Sequence, residues 1–150
     1  MDNYAFATSD LASVAKQLNV PVDCCGAIID SGATSHFCPD CDKFMNFVVI
    51  ELQAIHTADG TTINAVGRGD VKLELPLGNK RMTVTLKNAL YVPKMAFTLI
   101  STNWIAAAGL AIHFEDKMCK ILSPAPKRTV IAKIPQVDGL YSITAVLSIT

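Results

Sequence analysis

The stretch Gly26-Ala27-Ile28-Ile29-Asp30-Ser31-Gly32-Ala33-Thr34-Ser35-His36 places a carboxylate at the end of an apolar run, followed at once by a small hydroxyl residue and a glycine. That order delivers an aspartate where a buried strand turns into a loop. Ser31 can hold neighbouring backbone groups by hydrogen bonds, and Gly32 lets the chain turn tightly enough for its own amide to reach the carboxylate. Asp30 is therefore expected to be rigid and partly desolvated, the condition in which a carboxyl group suits acid–base work. A D-S-G triplet by itself is also an ordinary Asx-type turn, so the weight rests on its flanks, Ile28-Ile29 before and Ala33-Thr34 after.

Other groups with chemical potential fit less well. His36 follows Asp30 closely, and its expected role is to close the loop by hydrogen bonding. Ser31 does not sit in the strand-to-helix elbow of a serine hydrolase, and no motif brings His56 or His113 to it. Of the five cysteines, Cys38 and Cys41 form a single CxxC beside His36. A structural zinc site asks for four ligands, usually in two pairs, and the remaining thiols are the adjacent Cys24-Cys25 and the lone Cys119. Adjacent cysteines seldom both face one ion, so free thiols are expected, with no metal and no cofactor. Trp104, the only tryptophan, reads as packing between a helix and a sheet.

The elements that must position Asp30 are mostly strands. Ser9 and Asp10 followed by Leu11, Val14, Ala15 and Leu18 predict a helix over about residues 10–18, stopped by Pro21. Beyond it, Val71, Leu73 and Leu75 alternate with polar residues, as do Met82, Val84 and Leu86, so both runs are expected to face one core from a hairpin turning at Gly78-Asn79. A second hairpin is expected at Asp59-Gly60, and further strands at Val130–Ile134 and from Leu140 to Ile149. One short helix interrupts them: Thr102 or Asn103 can cap it, Trp104 to Ala108 can form it, and Gly109 ends it. Short strands with turns between them predict a small closed or partly closed β-barrel over residues 25–150, preceded by a helical extension over residues 1–24.

Composition narrows the function. The chain has 150 residues, 51% of them hydrophobic and 17% charged, which excludes disorder. The longest run without a polar side chain is the nine residues from Trp104 to Ile112, against roughly 20 for a spanning helix, so no membrane partner is expected. Thirteen basic and thirteen acidic residues cancel, with no basic run longer than Lys127-Arg128, so direct nucleic-acid binding is not expected either. The N-terminal MDNYAFATSD lacks the features of a signal peptide, which with the odd cysteine count predicts a cytosolic or nuclear location. More apolar residues than a 150-residue interior needs predict a buried subunit interface.

The run Ile28-Ile29-Asp30-Ser31-Gly32-Ala33 resembles the signature of retropepsin-type aspartic proteases, two hydrophobic residues followed by D-[ST]-G-A. Leu99-Ile100-Ser101 and the short helix ending in Gly109 look like that family's second element, with Ser101 where retroviral members carry glycine. Together, IIDSGATSHF, HTADGTTINAVGRGDVKLEL, LKNALYVPKMAFTLIS and DGLYSI are similar to the protease segment of copia-type retrotransposon Pol polyproteins, over about residues 26–143.

The resemblance implies an all-β, retropepsin-like acid-protease barrel that cuts a Gag-Pol polyprotein in the cytoplasm or a virus-like particle. It further implies a mechanism in which two aspartates share one proton, one activating a water and the other donating to the developing oxyanion. Only Asp30 lies in a D-[ST]-G, so the second carboxylate would come from a second copy in a twofold homodimer. Ser31 and Gly32 would then support Asp30, and Ala33 and Thr34 would border the substrate cleft. The hairpin from about Ile55 to Gly69, with Asp59 and Gly60 at its tip, would be the flap over the peptide, although Gly67 and Gly69 read equally well as β-bulges. The competing expectation is a catalytically inactive barrel, derived from a retrotransposon, that serves as an interaction module or survives as a decayed fragment.

Overall fold

The computed structural model describes residues 3–5 and 26–143. The helix expected over residues 10–18, the rest of the 1–24 extension and the end of the last apolar run lie outside the described residues. The described chain is a mixed sheet with one short α-helix. Its strands are β1 (Asn3–Ala5), β2 (Ala27–Asp30), β3 (Phe37–Cys38), β4 (Phe44–Thr57), β5 (Thr62–Leu77), β6 (Lys80–Tyr91), β7 (Thr98–Ser101), β8 (Ala111–Glu115), β9 (Met118–Leu122), β10 (Val130–Val137) and β11 (Leu140–Ile143), and the helix is α1 (Thr102–Ala107). In space the order is β1-β4-β5-β6-β3-β7-β2-β11-β10-β9-β8, an open order whose two ends do not pair.

The β5–β6 hairpin forms where the alternation predicts it. Leu77 pairs with Lys80 across Gly78-Asn79, and Leu73 pairs with Val84. Val71, Leu73, Leu75, Val84 and Leu86 are buried, whereas Met82, opposite Leu75, is 37% exposed. The sheet folds over on itself so that β10 packs against β5. Between the two layers lies one core of Val71, Leu75, Leu86, Ile121 and Ile134. A second core joins Ile28, Ala33 and Leu99 to Ile55 and Ala65 near the turn of the β4–β5 hairpin.

Helix α1 begins one residue earlier than expected. Ser101, not Thr102 or Asn103, is its N-cap, accepting a hydrogen bond from the Trp104 amide. At the other end, Gly109 takes φ +92, the left-handed conformation glycine adopts without a Cβ penalty. There the Gly109 and Leu110 amides reach the carbonyls of Ala106 and Ile105, a Schellman stop that uses two of the helix's last carbonyls.

Asp70 braces the middle of the sheet. The β4–β5 register shifts between Met45 and Val48, and the β5–β6 register between Gly69 and Val71. Asn46 and Asn88, both at φ 56, lie in these bulges. The Asp70 carboxylate accepts from Asn46 Nδ2, the Asn88 amide and Lys87 Nζ, each at 3.2 Å. These bonds, the Asn88 amide first, hold its pKa below the ordinary carboxylate value. Asp70→Ala is expected to lower stability by about 1–2 kcal/mol at neutral pH. Because the folded pKa is depressed, that contribution is complete above the unfolded value of about 3.9 and fades as pH falls through the lower folded value. Urea titrations of wild type and variant should therefore differ at neutral pH and converge in strong acid.

Candidate functional site

Asp30 is the last residue of β2, a strand with neighbours on both sides. It runs parallel to β7, with Asp30 opposite Ser101, and antiparallel to β11, with Ile28 opposite Ser142. Ile28 and Ile29 are buried, so the strand is anchored by its side chains on both faces. Asp30 itself is only 7% exposed. The Gly32 amide donates to its Oδ1 at 2.8 Å, and the Ala33 amide donates to its backbone carbonyl at 3.3 Å. This is the tight turn that the Asp-Ser-Gly order requires: the carboxylate is fixed by an amide two residues on.

The loop from Ser31 to His36 is stapled to the corner where β7 enters α1. The Ser101 hydroxyl donates to the Ala33 carbonyl at 2.8 Å. Trp104 Nε1–H donates to the Thr34 carbonyl at 2.7 Å. The Ser101 amide donates to Nδ1 of His36 at 3.0 Å, and the His36 carbonyl accepts from the Leu90 amide. His36 is 3% exposed, and burial lowers its pKa from 6.5 to about 4. The ring is thus neutral at neutral pH, as an acceptor at Nδ1 must be. Its role is the loop closure expected from the sequence.

Ser101 is the residue that sequence reasoning undervalued. One hydroxyl caps α1 and ties down the Asp30 loop, and one amide fixes His36. The available signal was its type and place, a serine directly before a helix. Ser101→Ala is expected to cost about 2 kcal/mol, from the lost cap and a buried Ala33 carbonyl left without its donor. A thermal melt would register this as a drop of several degrees.

The other predicted residues are spread over different surroundings. Ser31 is exposed, and Gly32 and Thr34 are half-buried. Ala33 is buried in the second core, against the residues that anchor the β4–β5 hairpin. That packing holds the turn end of the hairpin, at Ile55 and Ala65, against the Asp30 loop. At the tip, Asp59 and Gly60 are exposed. The Asp59 carboxylate accepts from the Thr57 hydroxyl and from the amide and hydroxyl of Thr61, which lower its pKa to about 2, with the Thr57 bond the largest influence. It is thereby committed to the turn. Gly67 lies beneath the Phe47 ring, where a Cβ would come within 2.1 Å of Cζ, and Gly69 sits at the β5–β6 register shift. Both glycines therefore have structural reasons to be there. A polar pocket of about 390 Å³ opens between this hairpin and the loop, lined by Ser35, Gln53, Arg68, Asn88, Leu90 and Trp104.

The CxxC does not converge. Cys38 is buried and accepts from the Thr98 hydroxyl, whereas Cys41 is exposed. Burial raises the Cys38 thiol pKa. Among the described residues no three His, Cys, Asp or Glu side chains gather as metal ligands, and no helix is long and apolar enough to cross a membrane. Cys24 and Cys25 lie outside the described residues.

A family model described as Pol polyprotein, beta-barrel domain matches residues 27–110. The match runs from the first residue of β2 to the residue after Gly109, and so takes in the Asp30 loop, the β4–β5 hairpin, Ser101 and α1. No curated protein and no solved structure matches the chain.

Proposed function

The chain belongs to the Pol polyprotein, beta-barrel domain family, and from that premise we propose that it is the aspartic endopeptidase of a copia-type retrotransposon, with a retropepsin-like barrel and an active site shared between two copies. The observation that carries this reading is Asp30: a buried carboxylate at the end of an internal strand, held by the Gly32 amide in a loop stapled to the β7–α1 corner.

That setting suits the chemistry. A carboxylate fixed in orientation and shielded from solvent needs little reorganisation when it accepts a proton. Two such carboxylates facing each other across a twofold axis cannot both ionise, so they hold one proton between them. The ionised member takes a proton from a water whose oxygen attacks the scissile carbonyl carbon. The protonated member hydrogen-bonds the carbonyl oxygen as it becomes an oxyanion. Collapse of the tetrahedral species breaks the C–N bond, and the amine leaves with a proton returned from the dyad.

In this reading Ser31 and Gly32 keep the turn, and Ala33 and Thr34 set the floor of the cleft. The β4–β5 hairpin closes over an extended segment of the Gag-Pol polyprotein, in the cytoplasm or within a particle assembled there. The family's description names a barrel and no activity, which favours one second reading, a non-catalytic barrel that acts as an interaction module.

Incubating the purified protein with a peptide library at mildly acidic pH, with and without pepstatin, separates the two. Endoproteolytic cleavage that pepstatin blocks is the expected result. No cleavage by a protein that sedimentation shows to be dimeric would favour the non-catalytic module.

A further inference from the structure

Of the large apolar side chains exposed among the described residues, all but Met82 and Phe114 lie on β4, and Val48, Val49 and Leu52 are the most open. On its inner side β4 pairs with β5, whereas on its outer side β1 reaches only Ile55–Thr57. Along the stretch from Phe44 to Ala54 no described strand pairs with that outer edge. An unpaired edge presents a row of backbone N–H and C=O groups, and natural sheets usually guard such a row with lysine or proline. β4 has neither, nor any arginine, and Glu51 is its single acid. We propose that β4 pairs antiparallel with β4 of a second copy of this chain, about a twofold axis at Val49.

The edge itself selects the occupant. Its backbone groups require a strand, its open side chains require an apolar one, and its lack of basic residues gives an acidic partner nothing to bind. β4 meets all three conditions, so the edge is self-complementary, which is what an isologous contact needs. The position of the axis follows from the register. The β4–β5 ladder shifts between Met45 and Val48 and again between Val49 and Gln53, leaving Val48-Val49 regular between two bulges. About an axis at Val49, Val48 meets Ile50 of the other copy and Glu51 meets Phe47, so the two Glu51 carboxylates are not opposed. At about 3.4 Å per residue, the edge from Phe44 to Ala54 is roughly 37 Å long. Pairing along it covers on the order of 500 Å² per copy, reaching the ~1,000 Å² total at which specific interfaces begin, so the contact is weak and reversible. It uses neither Asp30 nor the loop around it, and it stands whether or not the chain is a peptidase.

Hydrogen–deuterium exchange of the full chain, followed by NMR at rising protein concentration, reads this edge residue by residue, and sedimentation velocity gives the association constant. Amides within the stretch 48–52 are expected to gain protection as concentration rises. Val49→Lys, at a side chain 76% exposed, should leave the thermal melt unchanged and weaken the association by about tenfold or more, because the charge enters the contact twice. Leu52→Lys should act in the same direction, whereas Met82→Lys, at an exposed apolar side chain on β6, should not. Protection of β4 that does not change with concentration, or an association constant that both β4 variants leave unaltered, would overturn the proposal. Neither readout involves cleavage, so a failure of the peptidase reading would register separately.

Discussion

Asp30→Asn is expected to lower peptide hydrolysis by a factor of about 10³ or more while leaving the fold intact. General acid and general base contributions each reach about 10²–10⁴, and in a symmetric dimer this one substitution removes both carboxylates at once. Folding should survive because the asparagine Oδ1 can accept from the Gly32 amide as the carboxylate oxygen does. The β2–β7 pairing and the Ser101 staples do not use the lost charge. Cleavage of a fluorogenic peptide and a thermal melt, run side by side, read the two halves of this result. Cleavage that survives in the variant would sink the assignment of Asp30.

The second large effect is a loss of stability in mild acid that belongs to His36. Burial lowers its folded pKa to about 4, whereas the unfolded chain titrates near 6.5. Between those values the unfolded state binds the extra proton, so stability falls as pH falls. The loss is complete once pH drops below the folded value. The gap corresponds to a loss on the order of 3 kcal/mol between about pH 6.5 and pH 4.

The molecular cause is direct. Protonating Nδ1 converts the acceptor of the Ser101 amide into a second donor facing it. Asp59 and Asp70, with lowered pKa values, lose their own contributions only in stronger acid, so the two ranges are distinguishable. Urea midpoints across this range should fall with pH in the wild type and lose most of that slope in a His36→Gln variant, whose side chain can still offer the amide an acceptor. One consequence reaches function: the acid limb of any peptidase activity should track loss of the Asp30 loop as well as titration of the dyad.

What the sequence made legible was local. The Asp30 turn closes within two residues, and the β5–β6 hairpin announces itself by strict alternation around Gly78-Asn79. What escaped depends on residues far apart in the chain. Ser101, Thr102 and Asn103 are all good caps, and the choice among them is coupled to the Ala33 carbonyl, 68 residues away. The bulges at Asn46 and Asn88 are held by Asp70, 24 and 18 residues off, and no spacing rule reports that.

The apolar excess was legible as a quantity but not as a place. Within the described residues Val48, Val49 and Leu52 on β4 are exposed to 54%, 76% and 69%. A composition gives an amount of apolar surface, and only the register of each strand decides which side of the sheet receives it.

The dyad model makes one numerical demand that a single-chain enzyme does not. When wild type and Asp30→Asn are mixed at fixed total concentration and allowed to re-equilibrate, a dimer with one aspartate and one asparagine should be inactive. Activity is then expected to fall as the square of the wild-type fraction, to about one quarter when the two are equal. A linear fall, to about one half, would mean that each chain works alone and would contradict a site shared between two copies of Asp30.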